Sequence, residues 1–139
     1  MTEFLRPGAT DNDVLALVRK FIGLLASGNF NAAMDLTYVS EDSEWTSERL
    51  KRIIENYGSE GDVPASERMH VTDLTAAEIN NGGAWFIKSV FRAREESLED
   101  ATVEYGLPLN GSQSDLNLHF EIYKSRDGFA LSLYDVCVD

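Results

Sequence analysis

The sequence predicts an α+β domain: three N-terminal helices packed on a curved antiparallel sheet of four to five strands. Two observations carry that expectation. Apolar residues recur at three- and four-residue spacing up to about residue 58, and at every second position beyond about residue 69. These are the periods of an amphipathic helix and of a half-buried strand. Asn80-Asn81-Gly82-Gly83 and Ser125-Arg126-Asp127-Gly128 supply turn residues of the kind tight hairpins need. A chain of 139 residues is long enough for one proper core. All of 1–139 therefore reads as a single domain, with residues 1–10 (Pro7 and Gly8 among them) as a short arm.

Each helix has its own signals. Asp11 or Asn12 can cap the first, with Asp13 in its first turn, where the helix dipole favours a negative charge. Val14, Leu17, Val18, Phe21, Leu24 and Leu25 form its apolar stripe, and Gly28 ends it. A second, shorter helix is expected over 31–37, presenting Ala33, Met34 and Thr37 beside Phe30. The third starts at Thr46 or Ser47, carries Leu50, Ile53, Ile54 and Tyr57, and stops at Gly58.

In the second half, 69–79 is a weak strand pattern and 84–94 a strong one, the latter with Trp85, Ile87 and Phe91 on one face. Residues 102–109 place Val103, Tyr105, Leu107 and Leu109 together. Leu116, Leu118, Phe120 and Ile122 alternate with Asn117, His119, Glu121 and Tyr123, and Phe129, Leu131 and Leu133 return antiparallel to them. After Leu133 the apolar phase slips to Val136 and Val138, which implies a bulge or a change of buried face. The expected core is Leu17, Phe21, Leu24, Leu50, Ile53, Ile87, Phe91, Leu118, Phe120 and Leu131.

Charge sets the partners. The chain has 24 acidic and 12 basic residues and a formal net charge of -12. Such a surface repels phosphate backbones and anionic lipid, so neither nucleic acid nor membrane is an expected partner, and a basic protein surface is the natural complement. Two connections concentrate the acid: Glu41, Asp42 and Glu44 in one, Glu95, Glu96, Glu99 and Asp100 in the other. Neither has the ligand cadence of a calcium loop. Carboxylates so placed can stand in for phosphates and steer a basic partner.

Catalytic signatures are missing from the sequence. His70 and His119 have no metal-ligand spacing, and the glycines fit no phosphate-binding loop. No catalytic residue, metal or cofactor is therefore expected. Cys137, the single cysteine, excludes an internal disulfide and reads as a structural thiol in an apolar run. If the face carrying Asn117, His119, Glu121 and Tyr123 lines a concavity, His119 with Glu121 or Asp73 has the makings of an acid/base pair. Trp45 reads as a hydrophobic staple ahead of the third helix, with an exposed partner anchor as the alternative. The N-terminus shows no basic-then-apolar leader, and no apolar stretch approaches the roughly 18 residues of a span, so cytoplasm is the expected location.

The run from Val18 to Ala33, with its Gly28-Asn29-Phe30 turn, is similar to the opening of NTF2-like domains. Pro108 to Leu116, continuing through Asp127 to Val136, resembles the C-terminal hairpin of a small uncharacterised bacterial domain family. The NTF2-like resemblance implies a cone-shaped fold with a pocket between sheet and helices, here around Trp85, Tyr105, His119 and Glu121. It also implies possible homodimerisation through the open sheet. Together, size, acidity and the lack of a catalytic motif lead to the expectation of a binding protein, specifically an immunity protein neutralising a basic toxin domain. The alternative is an NTF2-like enzyme or small-ligand binder using that pocket.

Overall fold

Thr10 opens the first helix. Its hydroxyl accepts from the Asp13 amide, and the Asp13 carboxylate accepts from the Thr10 amide at 2.8 Å. This reciprocal box satisfies two of the amides that a helix start leaves over. Helix α1 then runs Asp11–Ala26 and buries Val14, Leu17, Val18, Phe21, Ile22 and Leu25. The cap lies one residue before the expected Asp11, because the capping residue needs extended backbone, which Thr10 has at φ -95 and ψ 171. Gly28 follows the helix at φ 82, in the left-handed region where glycine is favoured.

Helix α2 spans Phe30–Leu36, capped by the Asn29 side chain accepting from the Ala32 amide. Helix α3 spans Ser47–Glu55, and Thr46 rather than Ser47 caps it. Trp45, just ahead of that cap, is buried within the core, and the Arg49 guanidinium lies 4.5 Å from its ring centre.

The structure is a computed structural model and describes residues 1–59, 61–72, 88–91 (backbone alone), 98 and 101–138, with the side chain of Gln113 set aside. Among these residues the architecture is α+β. Strands β1 (Lys88–Phe91), β2 (Thr102–Leu109), β3 (Ser112–Ser125) and β4 (Gly128–Val138) pair antiparallel in chain order. Only β2, β3 and β4 are full strands, since β1 is a four-residue edge segment against 102–105.

The expectation of a curved, NTF2-like sheet of four to five strands is thus corrected in its strand count: among the described residues the sheet proper has three. The free edge of β2 explains the shortfall. It is shared between β1 and a single bridge, Val71 to Leu109, with Thr72 N donating to Pro108 O at 3.0 Å. Pro108 has no N–H to return, so no ladder propagates there and the described part of 69–79 is not a strand. The turn at 80–83, the segment 84–87 with Trp85 and Ile87, and Asp73 lie outside the described residues. So do Glu95, Glu96, Glu99 and Asp100.

One face of the sheet carries the helices. Val103, Tyr105, Leu107 and Leu109 of β2, and Leu116, Leu118, Phe120 and Ile122 of β3, are all buried on it. Phe120 meets Phe21 of α1 edge to face, with ring centres 5.3 Å apart and planes at 87°. Leu17, Leu50 and Leu131 join this core, whereas Leu24 and Ile53 are only half-buried, with Leu25 and Ile54 taking the inward positions beside them. Leu109 and Ser112 are joined through Asn110 and Gly111, both at positive φ, so β3 begins earlier than the apolar alternation alone indicates.

The outer edge of β4 is closed by other chain segments. Leu5 exchanges two backbone hydrogen bonds with Phe129, and Tyr38 N donates to Leu131 O at 2.7 Å. Gly128 makes room for the arm, because a Cβ there would sit 2.0 Å from the Leu5 carbonyl oxygen.

Two outcomes test this account. Phe120→Ala removes the ring that locks α1 to the sheet and should cost about 3–5 kcal/mol in a denaturant titration. A loss under about 1 kcal/mol would mean that Phe120 does not face the helices. Hydrogen bonds from the Thr10 amide and hydroxyl hold the Asp13 carboxyl below its ordinary value of 3.8. Its stabilising effect is therefore present above about pH 4 and lost as pH falls through the depressed folded value. Asp13→Asn should lower the thermal midpoint at neutral pH, with the difference from wild type closing in strong acid. A difference unchanged from neutral pH to strong acid would refute the box.

Candidate functional site

The sheet's outer face follows from the pairing register. On β3 the odd positions point away from the helices: Asn117, His119, Glu121 and Tyr123. Across from Glu121 and Tyr123, β4 offers Ser132 and Ala130. These small residues leave space that Tyr38, arriving over the edge of β4, fills. Its ring stacks on Tyr123 with centres 3.7 Å apart and planes within 4°. The neighbouring Tyr123 phenol is the main cause that raises the Tyr38 phenol above its ordinary 10.0, with the charge of nearby Glu41 a lesser one.

The stack borders an open hollow of about 490 Å³ lined by Tyr38, Ser40, Glu121, Tyr123, Lys124 and Ser132, among others. Loop 40–44 continues directly from this wall. Its turn is held by the Ser43 amide donating to Ser40 O at 3.1 Å, and Glu41, Asp42 and Glu44 are exposed. Glu44 pairs with Arg49 at 3.2 Å, so Glu41 and Asp42 are the carboxylates this ion pair leaves facing outward. Val39 is also exposed. Aromatic rings, an apolar residue and carboxylates thus share one surface.

Further along the same face, the register shifts between His119 and Phe120, and Tyr134 is the extra residue on β4. The phase slip after Leu133 is therefore a bulge. It turns Asp135 and Cys137 outward although Leu131 and Leu133, of the same parity, face the helices. Cys137 Sγ comes within 3.3 Å of His119 Nε2, and His119 Nδ1 lies 3.5 Å from Glu104 Oε1. Tyr134 sets its ring edge-on to the imidazole, centres 5.8 Å apart. Partial burial, then the charges of Glu104, Glu121, Asp135 and Cys137, raise the Tyr134 phenol above 10.0.

These positions separate the residues expected to form a pocket. Tyr105 is fully buried on the helix side, while His119 and Glu121 lie on the opposite face. Trp85 is outside the described residues. The partner of His119 is Glu104, which pairs with it in register on β2, rather than Glu121. His119 itself is buried, at 7% exposure, and is not a solvent-side residue. Of the expected partner-binding residues, Glu41 is near enough to Tyr38 to act on its phenol, Asp42 is exposed in the same loop, Glu44 pairs with Arg49, and the other four are outside the described residues. Tyr38 and Tyr123 carried no sequence signal, since nothing local joins residues 85 positions apart. Among the described residues no group of three or more His, Cys, Asp or Glu is arranged to hold a metal, and no helix is long and apolar enough to cross a membrane.

Fold and surface together define a small acidic α+β domain with an aromatic, carboxylate-rimmed patch on the outer sheet face. The chain belongs to the family described as a domain of unknown function, DUF7668, whose model matches residues 22–138. No curated protein and no solved structure matches it.

The stack has a spectroscopic consequence. In an ultraviolet absorbance titration, Tyr123→Phe should bring the Tyr38 phenol back towards 10.0, because the Tyr123 phenol is the main cause of its shift. An unaltered alkaline transition would show that the two phenols are independent.

Proposed function

We propose that this protein is a binding protein of the immunity type, working in the cytoplasm to neutralise a basic toxin domain by direct contact. One observation carries the reading: the stacked Tyr38–Tyr123 pair stands beside the outward carboxylates of loop 40–44 and Glu121, on a chain of net charge -12. Tyrosines supply contact area with few rotamers to freeze, and they are enriched among the residues that dominate binding energy. Carboxylates around them attract a cationic surface from a distance and fix its orientation on arrival. The toxin face that fits is one built to hold phosphates, because the same lysines and arginines accept carboxylates.

Ligand binding in a cone between sheet and helices has less support. Its proposed residues fall on opposite faces of the sheet, and the helix side is filled by Phe21, Tyr105 and Phe120.

The test is stopped-flow association with a basic toxin domain, sought first among the products of neighbouring genes. Reversing Glu41 and Asp42 to lysine should slow association about tenfold at low salt, and the wild-type rate should fall steeply as salt is added. Fold stability should move by no more than about 0.5 kcal/mol, since exposed charges contribute little. On-rates indifferent to salt and to both reversals would reject this surface.

A further inference from the structure

The Cys137, His119 and Glu104 row is a second site, independent of the tyrosine patch. A cysteine is nucleophilic only as the thiolate, which a base within hydrogen-bond reach generates when a third group orients that base. All three parts are here. Sγ lies 3.3 Å from Nε2, Nδ1 lies 3.5 Å from Glu104 Oε1, and the His119 side chain is only 9% exposed, so packing holds the ring between them. Tyr134, displaced by the bulge, braces the imidazole from the side. Cys137 is half-buried near the end of β4 and so is not sealed from solvent. Asp135, opposite His119 in the ladder, accepts from the Val136 amide at 2.9 Å.

We infer that Cys137 is a primed thiol that forms mixed disulfides with small disulfides carrying no net negative charge. The proton on Sγ passes to His119 Nε2, leaving a thiolate beside an imidazolium that faces Glu104. The thiolate attacks one sulfur of the incoming disulfide. That S–S bond breaks, a new one forms to Cys137, and the leaving thiolate takes the proton from Nε2. One disulfide and one thiol are consumed, and one mixed disulfide and one small thiol are produced. Among the described residues, the charged and titratable groups facing the sulfur and the ring are Glu104 on β2, Glu121 on β3, and Tyr134 and Asp135 on β4. Their sign and the net charge of -12 repel an anionic reagent and attract a cationic one.

The experiment uses the intact chain and follows adduct mass. Neutral iodoacetamide is reacted across pH with wild type, His119→Gln, Glu104→Gln and urea-unfolded wild type. Cystamine, a dication, and oxidised glutathione, an anion, are compared at low and high salt. Near pH 6 folded wild type should react at least about tenfold faster than the unfolded chain. His119→Gln should return the profile to that of an ordinary thiol near 8.5. Glu104→Gln weakens the imidazolium and should lower the rate on the plateau near pH 6, which keeps the inference testable if His119→Gln fails to fold by circular dichroism. Cystamine should outpace oxidised glutathione, with the gap narrowing as salt is added. A folded thiol that is slower than the unfolded one, or whose profile matches the unfolded chain and ignores Glu104→Gln, overturns the priming. Equal rates for the two disulfides overturn the charge selectivity.

Discussion

Strict alternation along β3 is the constraint on which the rest of the structure depends. Fourteen residues long, β3 pairs with β2 on one side and β4 on the other, so its parity decides what both neighbours present. Even positions drive Leu116, Leu118, Phe120 and Ile122 into the helices, and odd positions place Asn117, His119, Glu121 and Tyr123 on the other face. A one-residue slip would exchange the two sets and bury a carboxylate under α1. The bulge at Tyr134 lies on β4, where one extra residue re-aims everything after it, and a second irregularity interrupts the β2–β3 register between Gly106 and Pro108. Both candidate sites are consequences of this parity, one upstream of the bulge and one at it.

Acidity has little to do with holding the fold together. Described ion pairs such as Arg49–Glu44 and Arg52–Asp62 are largely solvent-exposed, where screening and side-chain entropy leave them little net worth. The core is held instead by apolar burial and a few aromatic contacts, with caps at Thr10, Asn29 and Thr46 setting where helices begin. A surplus of carboxylates costs self-repulsion, and under the proposed function its use is long-range attraction of a cationic partner. On that reading stability and recognition rest on different residues.

The sequence made local features legible and left long-range ones hidden. Helix positions, the caps at Thr46 and Gly28, and the slip after Leu133 could all be read because each depends on residues within a turn or two. The slip even announced the bulge, but not that Cys137 would meet His119, which requires the β3–β4 register. Thr10 was missed because Asp11 and Asn12 are equally good capping types, and only backbone geometry separates them. The sheet was over-counted because 69–79 reads as a strand by its pattern, whereas its described part meets β2 beside Pro108, which cannot return a hydrogen bond to a ladder. Tyr105 and His119 were grouped as pocket residues although they stand on different strands, and parity puts them on opposite faces. The acidic loop was visible as composition. Its tyrosine stack, joining a post-helical segment to the middle of the sheet, was not.

The most direct test of the account is amide hydrogen exchange on the protein alone and mixed with a basic toxin domain drawn from a neighbouring gene. Exchange should slow across 36–44 and 121–124, the segments that bring Tyr38, Glu41, Asp42, Glu121 and Tyr123 together, while α1 should be unchanged. A stable complex that leaves both segments unprotected, or no complex at all, would contradict the assignment of this surface to a basic partner.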